Sequence, residues 1–209
     1  MKIKRIITIA ILAVFTLKCG YAQPRGRDHE KKFVFMTSLG FSAGVGNLKF
    51  EERHVPNTIP LYRIQQVLGY QFNNYFFMGI GGGVDIWRKT AFIPLYANFS
   101  VNFINKKISP HFYLNTGYSF KWYASQKPED NTRVIHGSGT GLYGESGLGI
   151  QVKAWEKVSF IFTATYTMQQ SKLKYSVPVP GEEDFSRYFA NRSQNMLYHF
   201  IGLKIGILY

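Results

Sequence analysis

The sequence predicts an all-β fold, an eight-stranded antiparallel up-and-down transmembrane β-barrel, on three observations. A leader-like segment opens the chain. Eight later stretches alternate between bulky apolar residues and small or polar ones, and short connections between them take turns with longer ones. Composition agrees: 18 Phe, 14 Tyr and 20 Gly in 209 residues, beside 18% charged residues, supply enough apolar surface to offset ordering entropy and exclude intrinsic disorder. One cysteine excludes a disulfide framework and a cysteine-based zinc site.

Lys2, Lys4 and Arg5 precede an uncharged run from Ile6 to Leu17, and Gly20-Tyr21-Ala22 places small residues three and one before a cut at Gln23. That is the pattern of a secretory signal peptide, since a spanning helix needs ~20 apolar residues. A lipoprotein cut at Cys19 is disfavoured because Lys18 stands where a small residue is wanted. The expected organisation is a signal peptide over 1–22, a periplasmic tail over 23–32 and a barrel over 33–209. Cleavage would remove Lys2, Lys4, Arg5 and Lys18 and lower the net charge from +13 to +9.

Side chains on a strand point to opposite faces in turn, so each segment divides into two sets. The first sets Phe33, Phe35, Leu39 and Phe41 against Gly40, Ser42, Gly44 and Gly46. The second, about 61–72, sets Tyr62, Ile64, Leu68, Tyr70 and Phe72 against Arg63, Gln65 and Gln71, and Asn73-Asn74 follows as a turn. In the third, Phe76, Met78, Ile80, Val84 and Ile86 oppose Phe77, Gly79, Gly81, Gly83 and Asp85. The fourth has Leu95, Ala97, Phe99 and Val101 against Tyr96, Asn98, Ser100 and Asn102; the fifth has Phe112, Leu114, Tyr118, Phe120 and Trp122 against Tyr113, Asn115, Gly117, Ser119 and Lys121. The sixth pairs Leu142, Leu148 and Ile150 with Tyr143, Glu145, Gly147 and Gly149. The seventh pairs Phe160, Phe162, Tyr166 and Met168 with Ser159, Thr163, Thr165 and Thr167. The last sets Ile201, Leu203, Ile205, Ile207 and Tyr209 against Gly202, Lys204 and Gly206.

A soluble barrel alternates too, so the distribution of bulk decides. Here the second set is dominated by Gly, Ser, Thr and Asn, which suit a cramped eight-stranded interior, while the bulky set suits lipid. Short links over 73–75, 104–111 and 153–157 alternate with longer ones over 47–60, 123–140 and 169–195, as periplasmic turns alternate with external loops. Aromatic residues fall near strand ends: Phe72, Tyr75, Phe76, Phe103, Phe112 and Tyr209 near the turns, and Trp87, Phe92, Trp122 and Tyr123 near the opposite rim. Both groups are expected to form interfacial belts.

Over residues 33–209 the chain resembles the small bacterial outer-membrane barrels of the OmpA/OmpX-like and porin-like families. The stretch Gly69-Tyr70-Gln71-Phe72-Asn73-Asn74-Tyr75-Phe76 looks like the strand-turn-strand of porin-like barrels common in Bacteroidota. The final strand, with Leu203, Ile205, Ile207 and a terminal Tyr209, is similar to the signal read by the barrel-assembly machinery in those families. The resemblance implies a Gram-negative outer membrane, with membrane lipid, lipopolysaccharide and that machinery as partners. It carries over no peptidoglycan-binding domain.

Five charges fall on the predicted interior face: Arg63, Asp85, Lys121, Glu145 and Lys204. If Phe72 opposes Phe76, Arg63 lies directly opposite Asp85, and an interior ion-pair network is favoured over a selectivity or gating site because eight strands leave little lumen. Removing a partner of such a pair should cost ~3–5 kcal/mol. The run Gly79, Gly81, Gly82, Gly83 lacks the spacing and the Lys-Ser/Thr of a phosphate loop, so glycines relieving interior crowding are favoured. His136 and Ser138 are the weak catalytic candidates, placed in a loop without an orienting acid; Glu129 and Asp130 are merely near in sequence. His199 is expected outward near a rim, and His29, His54 and His111 have no metal-ligand spacing, so neither metal nor cofactor is expected. The last long link, with Tyr175, Glu182, Glu183, Asp184, Phe185 and Tyr188, has aromatic and charged residues fit to dock a protein or glycan or to rest on headgroups.

The favoured reading is a monomeric outer-membrane barrel with a filled lumen and a structural or interaction role. A narrow pore or carrier for small or hydrophobic solutes is one alternative, and a lipopolysaccharide acyl-modifying enzyme is another. No region carries a charge cluster above +2, so no basic stripe exists for nucleic acid to follow.

Overall fold

A computed structural model describes residues 32–50, 53–87, 90–124, 134–155, 158–178 and 189–209. The expected signal peptide and nearly all of the tail lie outside these residues. The described elements are strands: β1 (Lys32–Val45), β2 (Asn47–Phe50), β3 (Arg53–Pro56), β4 (Pro60–Gln71), β5 (Phe76–Trp87), β6 (Thr90–Asn102), β7 (Ile108–Ala124), β8 (Val134–Ser138), β9 (Gly141–Trp155), β10 (Val158–Pro178) and β11 (Phe189–Leu208).

Eight of them form one antiparallel wall in the order β1-β4-β5-β6-β7-β9-β10-β11, and β11 pairs back onto β1 from Met36↔Leu208 to Val45↔His199. The sheet is therefore a closed barrel without a free edge along the ring. These eight strands are the eight segments read from the sequence. The β4–β5 register puts Gln71 opposite Phe77 and Arg63 opposite Asp85, as the Phe72–Phe76 turn predicted. Asn73 makes that turn: its side-chain oxygen accepts from the backbone N–H groups of Tyr75 (2.8 Å) and Phe76 (2.7 Å), an Asx turn.

Burial follows the alternation with inverted polarity. Phe33, Leu203 and Ile80 are 76%, 70% and 71% exposed on the outer face, whereas Ser38, Gln65, Asn98, Asn115 and Thr167 are buried inside. A soluble barrel would do the reverse, because apolar area left in water forfeits about 25 cal/mol per Å².

Two links expected as loops contain strands. Within 47–60, β2 and β3 form a hairpin, entered at Gly46, whose φ of +75° suits a residue without Cβ. Within 123–140, β8 pairs with β10 beyond the end of β9. Strands β10 and β11, of 21 and 20 residues, stay paired as far as Pro178↔Phe189 and overrun the ~9–11 residues that a tilted crossing needs. The β5–β6 ladder is interrupted between Gly82↔Leu95 and Asp85↔Phe92, at Pro94, which has no N–H to donate.

Candidate functional site

The most highly organised polar site lies inside the barrel, around Glu145. Alternation on β4, β5, β7, β9, β10 and β11 aims Arg63 and Gln65, Asp85, Tyr113 and Asn115, Tyr143 and Glu145, Thr167, and Lys204 into the lumen, and each is buried. One carboxylate oxygen of Glu145 accepts from the Tyr113 hydroxyl at 2.7 Å and from Asn115 at 3.2 Å, and pairs with the Lys204 ammonium. The other accepts from the Tyr143 hydroxyl at 2.9 Å and from Thr167 at 3.4 Å, and pairs with the Arg63 guanidinium. Lys204 also donates to Gln65 at 3.1 Å and stands 4.2 Å from the centre of the Tyr113 ring; Arg63 donates to the Thr167 hydroxyl at 2.8 Å. Both oxygens of Glu145 are thus engaged by cations and neutral donors, the condition under which a buried carboxylate is tolerated.

Arg63 has a closer partner besides the expected one. Asp85 lies across the ladder as predicted, yet the nearest Arg63–Asp85 approach is 4.0 Å, and neither Asp85 oxygen has a hydrogen-bond donor within bonding geometry among the described residues. Glu145 holds the tighter contact because the closed ring brings β9 across the lumen from β4, a proximity invisible in hairpin register. Two acids face two bases here, so the four-residue cluster is formally neutral. Lys121 takes no part: it sits half-buried near the end of β7 without an ion-pair partner among the described residues.

Above the network, toward the long-loop end, Ile59, Leu61, Trp87, Phe92 and Phe200 pack with Tyr198 into an apolar plug. Trp87 is its centre, with ring centroids 4.8 Å from Phe92, 4.5 Å from Tyr198 and 5.1 Å from Phe200. This corrects the expected aromatic belt at that rim. Trp87 and Phe92 are 6% and 1% exposed and point inward, because each lies on the inward parity of its strand, with Asp85 and Tyr96 respectively. Trp122 does face outward, at 49% exposure, and the Tyr123 side chain lies outside the described residues. On the turn side, Phe72, Tyr75 and Phe103 are exposed as expected.

Below the network, Val34, Met36, Val67, Phe77 and Ile161 form a second apolar layer with Tyr96 and Tyr143. Small cavities near the turn-side mouth share Met36, His111 and Ile161 in their lining, and each has room for about one water. His111, expected within a link, is buried on β7, its Nδ1 2.9 Å from Asn102 Oδ1. Glycines admit the bulk: a Cβ added to Gly40 would stand 2.7 Å from Arg63 Cγ, so the arginine passes through the space the glycine leaves.

His136 and Ser138 lie on β8 rather than in a loop, and their side chains, like Glu129 and Asp130, lie outside the described residues. His199 is half-buried on the outward parity of β11, its Nδ1 2.6 Å from the Tyr166 hydroxyl. No group of three or more His, Cys, Asp or Glu among the described residues is placed to hold a metal. Leu203, Ile205 and Ile207 face outward along β11, and Tyr209 closes onto Phe35 through reciprocal backbone hydrogen bonds. What sequence reasoning missed are the lumen tyrosines as Glu145 donors and the inward Leu61, Val67 and Ile161; a hydroxyl-bearing ring on the glycine-rich parity was the available signal.

No family model and no curated protein matches the sequence. Among solved structures, the barrel is similar to the outer membrane protein OprG from Pseudomonas aeruginosa, with 12% identity, covering 83% of this chain and 94% of that one, at a TM-score of 0.49. It is also similar to Neisserial surface protein A, with 9% identity over 83% of this chain and 95% of that one, TM-score 0.47. A third is AlkL, solved in lipid bilayers, with 7% identity over 91% and 96% of the two chains, TM-score 0.45.

Proposed function

We propose that the chain is an outer-membrane barrel of a Gram-negative bacterium, closed to through-passage, that serves as a structural or interaction protein. The exposed apolar outer wall supports the membrane reading, because a bilayer supplies the environment that water denies to Leu203, Ile80 and Phe33. In that orientation the turns at 72–75 and 103–107 face the periplasm, and the β2–β3 hairpin and the β8–β10–β11 extension stand outside, available to a protein or glycan partner.

The observation that carries the closed reading is the filling of the lumen at three levels: the Trp87 plug, the Glu145 network and the Met36–Phe77 layer. Planar-bilayer recording of the purified barrel tests it. Insertion without discrete conductance steps is expected, and reproducible steps would establish the pore or carrier alternative instead. Pull-down from intact cells, with and without the β2–β3 hairpin, reads the interaction role.

A further inference from the structure

The lipid-facing wall carries a carboxamide whose donors and acceptor acyl chains cannot satisfy. Gln66 lies on the outward parity of β4, half-exposed, midway between the outward Tyr62 and Tyr70. Its neighbours across the ladders are Thr37 on β1 and Gly82 on β5. Around this short row stand Phe35, Leu39, Ile64, Leu68, Ile80 and Val84, all outward, so a polar centre is framed by apolar side chains. The Gln66 amide makes no hydrogen bond among the described residues. Thr37, the polar neighbour, has its hydroxyl 3.3 Å from that of Tyr209.

An unpaired amide at mid-wall costs free energy in hydrocarbon, where acyl chains offer neither donor nor acceptor. Its position four residues from either flanking tyrosine leaves it far from both interfaces. Resting on the membrane reading above, we propose that this face is the contact between two copies of the barrel. A carboxamide is both donor and acceptor, so two Gln66 side chains related by a two-fold axis satisfy each other reciprocally. This departs from the monomer expected from the sequence.

Sedimentation equilibrium of the full barrel purified from membranes, in a density-matched detergent over a range of protein-to-micelle ratios, tests the contact. The wild type should show a monomer–dimer equilibrium. Gln66→Leu should raise the dimer dissociation constant about tenfold. Ser146→Leu, the same kind of change on the outward face of β9 across the ring, should leave it unchanged. A wild type that stays monomeric at every ratio, an unaltered constant in Gln66→Leu, or equal weakening by both variants would overturn the proposal. Each protein is also run unboiled and boiled on a denaturing gel. A heat-dependent mobility shift marks a folded membrane barrel, and its absence in the wild type would sink the membrane reading itself rather than the contact.

Discussion

The middle of the lumen and its loop-side mouth are both filled by side chains, by opposite physical means. Around Glu145 the filling is polar, and every member depends on its partners: Arg63 and Lys204 are tolerable inside because the carboxylate lies between them. Around Trp87 the filling is aromatic and aliphatic, and each ring contributes area and dispersion independently of its neighbours' charge. The first region is therefore all-or-none and the second graded. A polar middle specifies which side chain meets which, and an apolar mouth only requires volume.

Substitutions should separate the two. The largest effect is expected from Glu145→Ala, which strands two buried cations and should cost about 3–5 kcal/mol in a urea unfolding midpoint measured in detergent or lipid. Asp85→Ala should cost less, about 1–3 kcal/mol, because Asp85 stands 4.0 Å from Arg63 and accepts no hydrogen bond among the described residues. If Asp85→Ala proved as damaging as Glu145→Ala, the hairpin partner rather than the cross-lumen one would be the principal counter-charge of Arg63. Phe92→Leu in the mouth should cost under about 1.5 kcal/mol, since a related apolar side chain refills most of the volume. Smallest of all, raising salt from about 0.1 M to 1 M should leave the wild-type midpoint unmoved, because buried pairs are poorly screened. A marked salt dependence would mean that the network is open to solvent.

The wall was almost wholly legible in the sequence, because strand parity is a local property. Phe33 and Ser38 advertise their sides of β1 through chemistry alone, and Asn73-Asn74 marks the turn that sets the β4–β5 register. The contents of the lumen were legible by membership and not by partnership. Parity places Arg63, Asp85, Glu145 and Lys204 inside, but which acid meets which base depends on the closure of the ring and the level at which each strand carries its charge. Trp87 and Phe92 were misread for a related reason. An aromatic residue near a strand end suits an interface on either parity, and their even spacing from Asp85 and Tyr96 was the cue that they face inward. The hairpin of β2 and β3 and the short β8 escaped notice because four or five residues are too few for alternation to stand out.

The pairing of β11 with β1 bears on the order of events in folding. It joins residues near both ends of the described barrel, Met36 with Leu208 and Leu39 with Ile205, so its contacts have the greatest sequence separation in the wall. Neighbouring hairpins zip locally, but this seam pays the largest loop-closure entropy and gives nothing back until the other seven ladders are in place. Until then β1 and β11 each present a bare row of amides and carbonyls, and the cross-lumen contacts of Arg63 with Glu145 and of Lys204 with Gln65 are unmade. Closure therefore delivers backbone satisfaction and charge neutralisation in the same late step, and the half-built ring is the species most exposed to aggregation.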